Sequence, residues 1–101
     1  MIERITILGT GLIGASAGLA LRAQGFTGSI AGWDPDSAQL HTALSLGAIT
    51  VMADDPLTAA AEANLILLGG PVLTILDWLD RLAFLVGLIW IVTILTMNFT
   101  I

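Results

Sequence analysis

The sequence predicts an α/β domain, a doubly wound parallel sheet of about five strands in the order 3-2-1-4-5. Three observations predict it. Short apolar runs alternate with Ala- and Leu-rich stretches of helical length from one end of the chain to the other. The first run feeds directly into Gly9-Thr10-Gly11-Leu12-Ile13-Gly14, and the second ends on a carboxylate, Asp34. Strands joined by crossover helices lie parallel, and right-handed crossovers set the order.

The first strand is Glu3-Arg4-Ile5-Thr6-Ile7-Leu8. The glycines after it form G-x-G-x-x-G between a strand and a helix, the context in which that motif carries weight. Gly9 permits the tight turn, Gly11 lacks the Cβ that would block a pyrophosphate, and Gly14 lets the helix lie against the sheet, a flat face that Gly18 extends. The unpaired N–H groups at the helix start and the positive end of its dipole favour phosphate. The first helix covers residues 12–24 and closes at Gly25. A turn, Gly25-Phe26-Thr27-Gly28, leads to the second strand, Ser29-Ile30-Ala31-Gly32-Trp33-Asp34. The second helix covers 36–46, with Leu40 and Leu44 on one face and Gly47 as its stop. Residues 49–52 are a short third strand. Asp55 reads as an N-cap with Pro56 at the first helical position of a short Ala-rich helix over 57–63. Asn64-Leu65-Ile66-Leu67-Leu68 is the fourth strand, broken by Gly69-Gly70-Pro71. A helix over 72–85 and a fifth strand over 89–95 complete the alternation.

Asp34 lies about 20 residues beyond the glycines, where this fold holds the adenosine ribose by its hydroxyls. Asp34-Pro35-Asp36 is also good turn chemistry, so a turn or cap role stands beside the ribose role. The carboxylate speaks to cofactor choice as well. A 2′-phosphate beside it is repelled by about 4 kcal/mol per unit charge at 4 Å and an effective dielectric of about 20. The chain has no Lys, and no Arg lies between Arg22 and Arg81. The expected cofactor is therefore NAD(H) rather than NADP(H). The loop Gly69-Gly70-Pro71 ends the fourth strand at the crevice between strands 1 and 4. It is either the floor beneath the nicotinamide-side ribose or a plain strand-to-helix turn.

Composition bounds the remaining classes. The 101 residues make one small domain, short for a complete dehydrogenase. A formal net charge of −5 with three Arg argues against nucleic acid and against an anionic membrane surface. There is no Cys, which excludes disulfides and thiolate metal sites. Glu3 and Arg4 interrupt any secretory h-region, so the cytoplasm is the expected location. Hydrophobic residues make up 56% of the chain, above the usual value of about 45–50%, and strands buried on both faces account for part of that.

Other chemistry-bearing residues have structural readings. His41, the single histidine, falls mid-helix on a solvent face. Asp54 and Asp55 read as a cap and its neighbour. Asp77, Asp80 and Arg81 read as the solvated side of their helix, and Trp78 as packing. Trp33 reads either as a wall of the adenine pocket or as edge-of-core packing. No nucleophile triad, metal-ligand spacing or carboxylate pair emerges.

With Gly9 to Gly14, Trp33-Asp34-Pro35-Asp36, Ser45-Leu46-Gly47-Ala48 and Leu65-Ile66-Leu67-Leu68, followed by Pro71-Val72, the chain resembles the nucleotide-binding, Rossmann-like half of prephenate dehydrogenases over residues 1–86. The resemblance implies an NAD-dependent oxidative decarboxylation of prephenate to 4-hydroxyphenylpyruvate, in tyrosine biosynthesis. It implies that Gly9, Gly11, Leu12, Ile13 and Gly14 bind pyrophosphate, that Asp34 binds ribose, and that Gly70 and Pro71 serve the nicotinamide side. Residues 87–101 diverge. After its fifth strand the family continues Val-Thr-Asp-Val-Gly-Ser with a lysine soon after, whereas this chain has Val92-Thr93-Ile94-Leu95-Thr96-Met97-Asn98-Phe99. The family's catalytic histidine and its helical substrate and dimerisation domain are expected beyond Ile101, leaving a cofactor-binding half without the catalytic half.

Residues 82–101 carry no charged side chain, a run of 20 that matches the length of a membrane-spanning helix. Its β-branched residues, Gly87 and the lack of flanking basic residues favour a buried fifth strand instead. The third reading is a truncated or altered end whose last residues are disordered or pair between chains, with an exposed apolar surface that invites self-association or aggregation. Three function classes follow: a cofactor-binding part of a prephenate dehydrogenase-like enzyme, or of another NAD-dependent dehydrogenase of the 6-phosphogluconate or hydroxyacid type; a nucleotide-binding or assembly module without chemistry; and, least favoured, a membrane-tethered protein.

Overall fold

The computed structural model describes residues 2–82 and 90–93. The chain runs β1 (Arg4–Leu8), α1 (Leu12–Ala23), β2 (Ser29–Trp33), α2 (Ser37–Leu46), β3 (Val51–Met52), α3 (Pro56–Glu62), β4 (Leu65–Leu68), α4 (Val72–Leu82) and β5 (Trp90–Thr93). All strand pairs are parallel, and the sheet order is β3-β2-β1-β4-β5, as the alternation predicts. β5 pairs with β4 from Leu65↔Trp90 to Leu68↔Thr93. The centre of the fifth strand expected over 89–95 is thus in place. Its ends, the last turn expected for the fourth helix, and the apolar end of the chain lie outside the described residues.

Side chains alternate across each strand, so the sheet feeds two core layers. Ile5 and Ile7 of β1, Ile30 of β2 and Leu67 of β4 pack with Leu40 and Ala43 of α2, and with Ala48 and Ile49. On the opposite face Leu8, Ile66 and Leu68 pack with Ala60 and Ala63 at α3 and with Ile75, Trp78 and Leu82 of α4. Burial on both faces explains why Leu65-Ile66-Leu67-Leu68 shows no polar alternation. Thr6 is a buried polar exception among these strand residues, and its hydroxyl donates to the Ala59 carbonyl at 2.9 Å, which ties α3 to the centre of the sheet.

Local chemistry sets the helix limits. At the end of α1 the Phe26 N–H reaches the Leu21 carbonyl and the Gly25 N–H the Arg22 carbonyl, both at 3.0 Å. Gly25, at φ +97°, supplies the left-handed residue this stop requires. Asp55 caps α3 with Pro56 in its first turn, as expected, whereas Asp36, expected as the first residue of α2, is its cap and accepts from the N–H groups of Ala38 and Gln39. The inner stripe of α2 differs from expectation. It is Leu40 and Ala43, while Leu44 is 36% exposed, because the small Ala43 lets the helix axis approach the sheet and leaves the next position at the rim. β3 is also shorter than the expected 49–52. Thr50 donates its N–H to the Ile30 carbonyl at 2.7 Å, but its hydroxyl accepts from the Ile30 N–H at 2.9 Å and also donates to the Ile30 carbonyl at 3.1 Å. Among the described residues no helix is long and apolar enough to cross a membrane.

Candidate functional site

The site forms where strand order reverses, at the carboxyl ends of β1 and β4. β1 ends at Leu8, and the chain turns at Gly9, whose φ is +100°. The Gly9 N–H donates to the Trp33 carbonyl and the Gly69 N–H to the Leu8 carbonyl, each at 2.8 Å. The loops after β1, β2 and β4 are thereby drawn to one edge. A Cβ on Gly9 would overlap the Gly69 carbonyl oxygen, and one on Gly14 would overlap the Gly9 carbonyl oxygen. Both positions bring two backbones within a distance that any side chain forbids. Gly18 serves a different contact from the expected one, facing the Ala48 carbonyl in the turn before β3 rather than the sheet.

Asp34 sits just past β2 with both carboxylate oxygens engaged. Oδ2 accepts from the Thr10 N–H at 2.7 Å and Oδ1 from the Asp36 N–H at 2.8 Å. The second bond is the turn chemistry expected of Asp-Pro-Asp, but the helix cap belongs to Asp36. The first bond spans 24 residues and fixes the acid against the glycine loop. A carboxylate offers about four lone-pair directions, so two bonds leave acceptor capacity on Asp34. Next to it, Gly11 starts α1 with no side-chain cap, which leaves the first-turn N–H groups without an intrahelical acceptor.

These groups surround one cleft of about 450 Å³. Gly9, Gly11, Leu12, Ile13, Gly14, Asp34, Gly70 and Pro71, the eight residues singled out from the sequence, all line it. Leu12 is 84% exposed at its mouth, and Gly70 takes φ +126° in the loop after β4. A Cβ on Gly11 would come 3.0 Å from Oε1 of Gln39, a residue of α2 that also lines the cleft. The absent side chain at Gly11 therefore makes room for the Gln39 amide as well as for the ligand expected there.

α4 contributes what the sequence reading missed. Thr74, Asp77, Trp78 and Arg81 line the same cleft. Asp77 and Arg81 are exposed, as expected, yet face the site. The Arg81 guanidinium lies 3.7 Å from the Asp77 carboxylate and 4.5 Å from the centre of the Trp78 ring. Trp78 is buried and meets Trp33 edge to face at 5.7 Å, with planes 85° apart. Trp33 packs on the core, one of the two roles weighed for it, and also lines the cleft. The spacing of Thr74, Asp77, Trp78 and Arg81 at three- and four-residue intervals was the available signal. It marks one helix face without saying what that face meets. Nearby, hydrogen bonds from the Thr58 hydroxyl and then the Thr58 N–H hold the Asp55 carboxyl below its ordinary 3.8, with the charge of Arg81 acting in the same direction. His41 is exposed, and its Nδ1 lies 2.7 Å from the Ser37 carbonyl. Among the described residues no cluster of His, Cys, Asp and Glu is disposed to hold a metal ion.

A reversal of strand order, a glycine loop and an acid at the end of β2 define the doubly wound nucleotide-binding class. Comparison with known families narrows this. Residues 17–95 match the family described as prephenate dehydrogenase, nucleotide-binding domain, and the chain belongs to that family. The match starts after the glycine loop and takes in β5. Among solved structures the chain is similar to the prephenate dehydrogenase of Aquifex aeolicus in complex with hydroxyphenyl propionate and NAD+, at 22% identity and a TM-score of 0.79, over 94% of this chain and 34% of that one. It is similar to Synechocystis arogenate dehydrogenase at 29% identity and a TM-score of 0.67, over 78% of this chain and 27% of that one. It shares its fold with a 3-hydroxyisobutyrate dehydrogenase of Mycobacterium tuberculosis at 21% identity and a TM-score of 0.71, over 95% and 32% of the two chains. The chain spans about a third or less of the length of these proteins. Comparison with curated proteins gives no match.

Proposed function

We propose that this chain is the NAD(H)-holding part of a prephenate or arogenate dehydrogenase. The first-turn N–H groups of α1, at Leu12, Ile13 and Gly14, take the pyrophosphate, with Gly9 and Gly11 keeping the loop close to it. Asp34 takes the adenosine ribose hydroxyls, and Gly70 and Pro71 border the nicotinamide side. The observation that supports this reading is the Thr10 N–H bond to Asp34 at 2.7 Å, which holds the Asp34 carboxylate beside an uncapped helix start. The NAD+ named for the Aquifex aeolicus relative supports it.

Bound NAD+ would supply the hydride acceptor for the reaction proposed for the whole enzyme, the oxidative decarboxylation of prephenate to 4-hydroxyphenylpyruvate. This chain binds and orients the dinucleotide for that step. We place the groups that act on the substrate outside the residues described, and propose that the chain alone is catalytically incomplete.

Calorimetric titration of NAD+ and NADP+ into the unaltered chain and Asp34→Ala tests the assignment. The unaltered chain is expected to prefer NAD+ by tenfold or more. The variant should lose about tenfold in NAD+ affinity, since hydrogen bonds to a charged group contribute about 1.5–3 kcal/mol, and its preference should narrow because the repulsion of the 2′-phosphate is gone. Tighter binding of NADP+ by the unaltered chain, or an unchanged NAD+ affinity in Asp34→Ala, would sink the proposal.

A further inference from the structure

The dinucleotide reading leaves α4 without a part, although α4 builds one wall of the cleft. The chain contains three cationic side chains, Arg4, Arg22 and Arg81. Arg4 donates to the Glu62 carbonyl and Arg22 to the Phe26 carbonyl. Of the three, Arg81 lines the cleft. An exposed i,i+4 pair with Asp77 needs no function by itself and contributes little to stability. The Trp contacts are more specific. The guanidinium stands over the Trp78 ring, Trp78 abuts Trp33, and Trp33 is the residue before Asp34. This row of π systems runs from α4 to the acid that takes the ribose.

We propose that Arg81 holds the adenine ring of the dinucleotide, its guanidinium plane backed by the Trp78 indole on one side and stacked on the base on the other. The inference rests on the dinucleotide reading, because a ribose held at Asp34 carries its base on the neighbouring C1′ and so delivers it to the Trp33–Trp78–Arg81 row. A guanidinium is planar and weakly hydrated, and stacks on π systems while its in-plane N–H groups remain bonded. The Asp77 pair and the adenine stack therefore coexist. The phosphates have their own donors at the start of α1, so Arg81 acts on the base.

The test removes the base and the plane separately. Affinities of 5′-AMP and ribose 5-phosphate are measured by competition against NADH fluorescence in the unaltered chain, Arg81→Ala and Arg81→Lys. Stacking of a base on such a platform contributes about 1–3 kcal/mol, so AMP should bind the unaltered chain about tenfold more tightly than ribose 5-phosphate. In Arg81→Ala that ratio should collapse toward one, with ribose 5-phosphate unaffected and the thermal melt little changed. Arg81→Lys, which keeps the charge and loses the plane, should behave like Arg81→Ala. An unchanged AMP ratio in Arg81→Ala overturns the assignment, as does full recovery in Arg81→Lys or an equal loss for both ligands, which would mark Arg81 as a phosphate contact. Failure of the unaltered chain to bind NADH overturns the dinucleotide reading and takes the Arg81 assignment with it. Full NADH affinity in Arg81→Ala overturns Arg81 alone.

Discussion

At Thr10 the backbone and the side chain have opposite fates. The N–H anchors Asp34, while the hydroxyl is buried with no hydrogen-bond partner among the described residues. Its methyl faces Gly32, where an added Cβ would come within 3.0 Å of Thr10 Cγ2. A buried hydroxyl left unpaired costs about 1–3 kcal/mol, whereas an apolar group of the same shape has no such penalty. Thr10→Val keeps both the N–H and the shape. It should raise unfolding stability by about 1 kcal/mol, measured by urea denaturation, and leave NAD+ affinity unchanged. A loss of stability would mean that the hydroxyl has a partner, such as an internal water. The positions of the glycines and the acid around this cleft were legible in the sequence because they follow from backbone approach and spacing. The burial of the Thr10 hydroxyl was not, since the motif constrains nothing at that position beyond its N–H.

Among the elements, α3 shows how far a local signal reaches. Its seven residues are too few to be stable alone. It is held by the Asp55 cap, by Pro56 in its first turn and by the bond from Thr6 to the Ala59 carbonyl. The cap accepts from the Thr58 N–H at 2.8 Å and the Thr58 hydroxyl at 2.7 Å, and these bonds lower the Asp55 pKa from 3.8, the hydroxyl bond most, followed by the N–H bond. A carboxyl whose folded pKa lies below its unfolded value contributes stability that is complete above the unfolded value and lost as pH falls through the folded one. The protection of the Ala59 and Ala60 amides, taken relative to their intrinsic exchange at each pH, should therefore fall as the medium is acidified below about pH 4, and in Asp55→Asn this acid dependence should flatten. Equal acid dependence in the two proteins would show that the cap is not the titrating group. Asp55 was legible because capping is decided within one turn. The inner stripe of α2 and the cleft face of α4 were not. Periodicity marks which residues share a face, while the strands a helix crosses decide whether that face meets core, cleft or solvent. The exposure of Leu44 and the cleft-facing side of the exposed Arg81 were both missed for this one reason.

At the scale of the molecule, strand order was legible because alternation and handed crossovers leave few arrangements, and that order alone places the cleft at the edge where β1 and β4 part. The cleft is assembled from the β1–α1 loop, the end of β2, the β4–α4 loop and α4 itself, segments from both helical layers of the sheet. A dinucleotide that spans it binds only when all of them are in place, so its binding free energy adds to the stability of the folded state. For one site and no affinity for the unfolded chain, ligand at a hundred times its dissociation constant adds about 2.7 kcal/mol. For a domain of this size that corresponds to a rise in Tm on the order of 10 °C. NAD+ should accordingly raise the Tm in a dose-dependent way, and amide protection should grow in α1 and α4 together, since the two helices lie on different faces and both line the cleft. Protection confined to α1 would describe a phosphate site at the glycine loop and not a bridged cleft. A flat Tm across the titration would remove the dinucleotide altogether. Ribose 5-phosphate, which reaches neither the nicotinamide side nor the α4 wall, should protect α1 and leave α4 unchanged, so the same experiment separates a ligand that closes the two layers on each other from one that only fills the loop.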